Sequence, residues 1–389
     1  MPLKIFMVAC EASGDNHGAH LIREIRRLAP DAEFRGLGGP QMQAAGLDLL
    51  FDMTTISALG FGDVVRQYFK YRKIFYQAID AIRAWKPDAA VVIDSPAFNL
   101  RLAKKISGQV PVLYYISPQI WAWGGRRIHV IRRHVSKMLS ILPFETEIYE
   151  KAKVPCEFVG HPLLDQVETS AERAALRAKL GLKEGSTAVG LFPGSRAKEV
   201  QRIFPAMLAT ASILARKRPD VVFYLKEPPG IDAQAFESLL RQYPNLKTSR
   251  SNLSFHDLVH AMDFAMIASG TATLEAALLE TPFFLLYKAS PTTYFLGKRL
   301  IRVKYLGLVN LLAGRLVVPE FIQGDMHPET MAHEIEIFLQ NPELCGKMRE
   351  SFREVRALLG NSGASRRAAE AVVGFMDSRK NVRPQPSRA

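Results

Sequence analysis

Phe264-Ala-Met-Ile-Ala-Ser-Gly-Thr-Ala-Thr-Leu-Glu275 holds a strand, a turn and the start of a helix. Its first five residues are wholly apolar, as expected for a strand buried on both faces of a parallel sheet. Ser269 and Gly270 break the run, and Leu274, Ala277 and Leu278 resume it at helical spacing. Thr271 or Ser269 can cap that helix, and Glu275 falls in its first turn, where the dipole favours a carboxylate. Ser269, Gly270, Thr271 and Thr273 also leave room for an anion at the positive helix end, and Glu275 could accept ribose hydroxyls.

The same grammar recurs on both sides. Thr187–Phe192 leads into Pro193-Gly-Ser-Arg196 and a helix expected near Glu199, so Ser195 and Arg196 join a second anion-compatible turn. An ordinary βα turn with a surface arginine fits that segment equally. Further apolar runs are Leu3–Ala9, Ala89–Ile93, Val110–Ile116, Lys137–Leu142, Val221–Leu225 and Phe283–Leu286. Helical stripes lie between them, such as Val64, Tyr68, Tyr71, Phe75, Ala78, Ile79 and Ile82. Strand–helix alternation that restarts near residue 186 implies an α/β chain of two Rossmann-like, doubly wound parallel-sheet domains, with ligands at strand ends and in a cleft. The expected division is 1–165, 166–350, terminal helices over 351–376 packing back on the first domain, and a disordered basic tail over 377–389.

The 389 residues carry 51 Lys plus Arg against 38 Asp plus Glu, a formal charge of +13 that favours polyanionic partners. Three scattered cysteines form neither a disulfide framework nor a Cys-x-x-Cys metal site. No uninterrupted apolar run reaches the roughly 18–20 residues of a spanning helix. The N-terminal run meets Glu11 and Asp15 without a cleavage site, which favours a first strand over a signal peptide.

In the first half, carboxylates stand at strand ends. Glu11, Ser13 and Asp15 follow the first strand, where sugar binding, acid–base work and helix capping are all open. Asp94 leaves the apolar run Ala89–Ile93, and burial there would raise its pKa towards that of a useful base. Trp121 and Trp123 precede Arg126, Arg127, Arg132 and Arg133, an apolar–cationic sequence suited to a lipid surface. A second such stretch spans 295–305, and 66–73 is a third candidate. Neither basic run matches a nucleic-acid-binding motif.

These motifs together resemble the lipid-A-disaccharide synthase family. The resemblance rests on Glu11-Ala-Ser-Gly-Asp15, Gly38-Gly-Pro-Gln-Met42, Asp94-Ser-Pro-Ala-Phe-Asn99, Ser117-Pro-Gln-Ile-Trp-Ala-Trp123 and Leu142-Pro-Phe-Glu145. Val154–Pro162, Pro193–Arg196, Ser269–Glu275, Asn310, Pro319-Glu320 and Gln323 continue it, from residue 3 to about residue 376. Ala97 departs from it where a second carboxylate is common, and Gly124-Gly125 where a basic or polar pair is expected. The resemblance implies a GT-B glycosyltransferase that needs no metal or other cofactor. It joins UDP-2,3-diacylglucosamine to 2,3-diacylglucosamine 1-phosphate, with inversion, giving the β-1,6 disaccharide and UDP. It further implies attachment to the cytoplasmic face of the inner membrane and no nucleic acid partner, and a homodimer is left open. Asp94 is then the expected base, with Glu11 and Asp15 beside it. Ser195, Arg196, Ser269, Gly270, Thr271, Thr273, Glu275, Asn310 and Gln323 are expected on the donor side. Another GT-B transferase using UDP-N-acetylglucosamine and a lipid-linked acceptor is the competing expectation.

Overall fold

The computed structural model describes residues 2–57, 64–227, 232–301 and 303–382. The side chains of Val64 and Tyr68, residue Arg302 within the 295–305 stretch, and positions 383–389 of the expected tail lie outside what is described. The chain divides into two compact units, Met1–Asp165 with Leu359–Ala389, and Gln166–Leu358.

In the first unit the elements are β1 (Lys4–Ala9), α1 (Ala12–Leu28), β2 (Glu33–Gly38), α2 (Pro40–Ala44), β3 (Asp48–Asp52), α3 (Thr54–Ser57) and α4 (Val64–Trp85). Next come β4 (Ala89–Ile93), α5 (Pro96–Ile106), β5 (Val112–Tyr115), α6 (Ile128–His134), β6 (Lys137–Ser140), α7 (Pro143–Lys151), β7 (Cys156–Phe158) and α8 (Leu163–Gln166). The sheet is wholly parallel in the order β3-β2-β1-β4-β5-β6-β7. Its central strands are apolar on both faces because a core covers each side. One core gathers Phe6, Val92, Ile79 and Tyr114, and the other Ile5, Val91, Ile22 and Val372.

The second unit runs α9 (Arg173–Lys179), β8 (Thr187–Phe192), α10 (Ala197–Lys217), β9 (Val221–Leu225), α11 (Ala233–Leu240), β10 (Thr248–Arg250), α12 (Phe255–Ala261) and β11 (Phe264–Ala268). It continues through α13 (Thr271–Leu278), β12 (Phe283–Tyr287), α14 (Pro291–Leu300), α15 (Leu308–Ala313), β13 (Glu320–Ile322), α16 (Pro328–Gln340) and α17 (Pro342–Leu358). Its parallel sheet has the order β10-β9-β8-β11-β12-β13. In each sheet the winding direction reverses once, between β1 and β4 and between β8 and β11. The strand ends there diverge and open a crevice, the usual ligand site of such sheets.

The expected division at residue 350 falls inside α17. That helix cannot be split there, because its apolar stripe Cys345, Met348, Phe352 and Val355 is continuous and Phe352 stacks on Phe283 at 5.6 Å. The chain changes units at Leu359 instead, and α18 (Ala364–Val382) lays Ala368, Ala369 and Val372 into the core that holds Ile22 and Ile25 of α1. Helix therefore continues through 377–382, where a disordered tail was expected.

Candidate active site

The first crevice is a cavity of about 920 Å³. Cys10 and Glu11 after β1, and Ser95 to Phe98 after β4, form its floor, so it sits where the strand order reverses. The backbone is strained there, with Asp94 and Ser95 both left-handed at φ 46° and 44°. Such conformations cost about 1–3 kcal/mol each and persist only where the surroundings hold them. Here the Asn99 amide donates to the carbonyls of Ile93 and Asp94 (2.9 and 2.7 Å), and the Tyr114 hydroxyl also donates to Asp94 O. The bend directs the chain after β4 into the crevice. Burial, and then the neighbouring charge of Glu11, raises the Asp94 carboxyl above its ordinary range. Burial pushes Cys10 up to about 12, so its thiol stays protonated and is no nucleophile at neutral pH. Ser13 is exposed at the start of α1 but is not part of the cavity wall.

Of the readings open for Asp15 the structure shows helix capping, though of a helix distant in sequence. Its carboxylate is 2% exposed and accepts the backbone N–H groups of Gly39, Gln41 and Met42 at 2.8, 2.9 and 3.0 Å. These amides open α2, so Asp15 caps a helix 24 to 27 residues away. A β-carbon on Gly39 would meet the Asp15 carboxylate at 2.6 Å, which is why the position is glycine. Trp121, expected at the acceptor face, is likewise turned inward. Its indole N–H donates to Glu145 Oε1 (3.0 Å), which also accepts the Ser117 hydroxyl (2.7 Å). Glu145 is buried, and that burial raises it to about 7. This anchor leaves Trp123 at the cavity mouth, 43% exposed, with the Arg127 guanidinium 3.9 Å above its ring. Arg126, Arg132 and Arg133 are exposed beside it.

Sequence reasoning missed Phe75 and Tyr76 of α4 and Arg101 of α5 as cavity wall, while Tyr71 and Arg72, in the 66–73 stretch expected at a lipid surface, line the same cavity. Arg72, Phe75 and Tyr76 stand at i, i+3 and i+4, so one helix face presents them together. The signal was available in arginines interrupting an aromatic stripe.

In the second unit a cavity of about 550 Å³ lies at the reversal between β8 and β11. It gathers Ser195, Arg196, Ser269, Gly270, Thr271 and Glu275, six of the nine residues expected on the donor side. Lys226 and Glu227, at the end of β9, and Phe255 were not foreseen. Gly194, at φ 101°, turns the chain so that the Ser195 and Arg196 amides point inward, and both donate to the Glu199 carboxylate. Burial raises Glu199 above the usual carboxyl range. Glu275 accepts from His256 Nε2 at 3.1 Å, and that bond raises the imidazole's affinity for its proton. No side chain caps α13; Gly270 is its N-cap residue, and Thr273 donates its hydroxyl to Gly270 O at 2.7 Å.

Asn310 and Gln323 do not line this cavity. Asn310 is buried and binds Val317 N, Val318 N, Val318 O and Glu320 at 2.7–2.8 Å. Gln323 pairs with both backbone groups of Ala289. Each braces the loops around β12 and β13. Elsewhere on this unit Phe295 (56% exposed) lies under Arg299 at 4.2 Å, beside exposed Leu300. Among the described residues no helix is long and apolar enough to cross a membrane.

Two parallel-sheet Rossmann-like units, each with a crevice at its strand-order reversal, give the α/β architecture of the GT-B fold class. Solved structures share the fold. UDP-GlcNAc 2-epimerase from Neisseria meningitidis bound to UDP-GlcNAc aligns with TM-score 0.62 at 13% identity, over 96% of this chain and 99% of that one. CalG4, the calicheamicin glycosyltransferase, aligns with TM-score 0.57 at 13% identity, over 98% and 100%. Sequence is more specific. The lipid-A-disaccharide synthetase family model matches residues 5–373, and the lipid-A-disaccharide synthase of Myxococcus xanthus is 40% identical over 379 residues, 96% of this chain and 98% of the relative. The chain belongs to the lipid-A-disaccharide synthase family and is a glycosyltransferase that forms the lipid A disaccharide.

Proposed function

We propose that the first unit binds the acylated acceptor, 2,3-diacylglucosamine 1-phosphate, and the second binds UDP-2,3-diacylglucosamine, with Asp94 taking the proton from the attacking hydroxyl. The observation that carries this reading is the difference between the two crevice walls, rich in aromatic rings in the first unit and built of strand-to-helix turns in the second. The first is lined by aromatic rings with a carboxylate in its floor, which suits acyl chains and a hydroxyl that must lose a proton. The second offers turn amides, Arg196 and Lys226, groups that stabilise charge growing on a departing diphosphate. Glu275, fixed by His256, is suited to accept ribose hydroxyls. Asp94 sits next to the cavity residue Ser95, and its raised proton affinity brings it closer to the neutral range at which a base is effective.

The test is UDP release from the acylated donor, with and without acylated acceptor. Asp94→Asn should lower turnover about 10²–10⁴-fold while UDP affinity holds. Near-normal turnover in that variant would remove Asp94 from the role.

Both substrates carry acyl chains, and the protein is proposed to meet them at an anionic membrane surface through Trp123 with Arg126, Arg132 and Arg133, and through Phe295 with Arg299. Co-sedimentation with anionic vesicles should weaken as salt rises. Binding indifferent to lipid charge and salt would refute this.

A further inference from the structure

Arg72, Arg101 and Arg127 reach one apolar cavity from three separate elements: α4, α5 and the turn Gly125–Arg127. Their neighbours in the wall are Phe75, Tyr76, Phe98 and Trp123. Among the described residues, the ion pairs of this unit all use other cations. Arg127 Nη1 is closed off from solvent and has no hydrogen-bond partner, though its guanidinium carbon lies 3.9 Å from the centre of the Trp123 ring. A desolvated guanidinium nitrogen left unbonded is costly, and arginine cannot lose its charge to relieve it. Convergence of like charges on an apolar wall adds repulsion. An anion with several acceptor oxygens in the cavity offsets that repulsion, and guanidinium forks match phosphate oxygens two at a time. Glu11 cannot serve as that anion for all three, since it forms no ion pair with any of them.

We propose that Arg72, Arg101 and Arg127 form a clamp for the phosphate monoester of the acceptor, so that the cavity selects a sugar carrying both acyl chains and a phosphate. This rests on the reading of the first unit as the acceptor site. The donor's diphosphate has its own amide turns in the second unit, which leaves the acceptor phosphate as the anion to be matched here. Holding that phosphate at one end of the sugar leaves the hydroxyl at the other end for Glu11 in the cavity wall and Asp94 beside it.

Calorimetry on the full chain can separate the possibilities. The probes are diacylglucosamine 1-phosphate, the same molecule without phosphate, and phosphatidate, each in neutral detergent micelles. The wild type should prefer the phosphorylated sugar about 100-fold, as two or more charge-assisted bonds imply. Arg101→Ala and Arg127→Ala should each cut that affinity about 10–100-fold while changing affinity for the phosphate-free sugar less than twofold. An unchanged melting transition of the first unit would report intact folding there. Equal wild-type affinity for the two sugars, or variants that lose both alike, would overturn the clamp. Phosphatidate binding of equal strength and equal dependence on Arg101 would overturn it too, assigning the arginines to general lipid headgroups. Phosphate-selective binding without UDP release would uphold the clamp and sink the transfer reading instead.

Discussion

Replacing Asp15 by Asn separates building the site from acting in it. The amide is isosteric and keeps one acceptor oxygen. In the native protein Oδ1 accepts from Gly39 and Met42, and Oδ2 from Gln41. The variant therefore keeps two bonds in weakened, uncharged form and turns an N–H against the Gln41 amide. Losing one charge-assisted bond costs about 1.5–3 kcal/mol. Halving two others adds roughly 1.5–3 kcal/mol. The total, about 3–6 kcal/mol, is close to the usual cost of breaking a buried charged network. At about 2–4 °C per kcal/mol for a unit of this size, the first unit's melting transition should fall by roughly 6–24 °C. Scanning calorimetry on the full chain measures this, and UDP affinity serves as the internal control for the second unit. Turnover per folded molecule, measured well below the lowered transition, should change less than tenfold. An unchanged melting transition with turnover down a hundredfold would refute the bracing role and return Asp15 to the chemistry.

Three further outcomes follow from the charges at the two crevices. In its proposed role Asp94 must be ionised, and burial and Glu11 both raise its pKa, so activity should be lost as pH falls through that raised value. Glu11→Gln removes one raising influence, so the acid limb of the pH–rate profile should move to lower pH; an unmoved limb would deny the coupling. Arg196→Ala should weaken UDP binding about 10–100-fold by calorimetry, and unchanged affinity would exclude a phosphate contact. Glu199 occupies the amides of Ser195 and Arg196 and competes there with any phosphate, so Glu199→Gln should tighten UDP binding and flatten its dependence on pH. Weaker binding in that variant would show that the carboxylate supports the turn instead.

The eight apolar runs visible in the sequence all became strands, and those that went unread share a physical reason. Four of them, β3, β7, β10 and β13, are the edges of the two sheets, where half-solvated strands need no continuous apolar run. The fifth, β2, is interrupted by Gly36, at φ 156°, where a β-carbon would collide with the Met7 carbonyl. The site divides along similar lines. Residues at the strand-order reversals, such as Glu11, Arg196 and Ser269, were legible because a motif and a strand end coincide. Asp15, Trp121, Asn310 and Gln323 carry ligand-like chemistry but spend it on protein partners that no local pattern reveals. Tyr71 and Phe75 were visible only as part of a helical stripe, which does not say which neighbour it faces; in the fold they pack against the core and also form cavity wall.

The return of α18 to the first unit has a consequence for biosynthesis. A ribosome makes β1 to β7 first, yet the face of α1 that receives Ala368, Ala369 and Val372 stays uncovered until nearly the whole chain has emerged. The second unit, continuous from Gln166 to Leu358, has every one of its strands available earlier. The order of completion is thus reversed relative to the order of synthesis. The half with the apolar cavity is closed last, and an unfinished chain leaves the apolar face of α1 open to solvent.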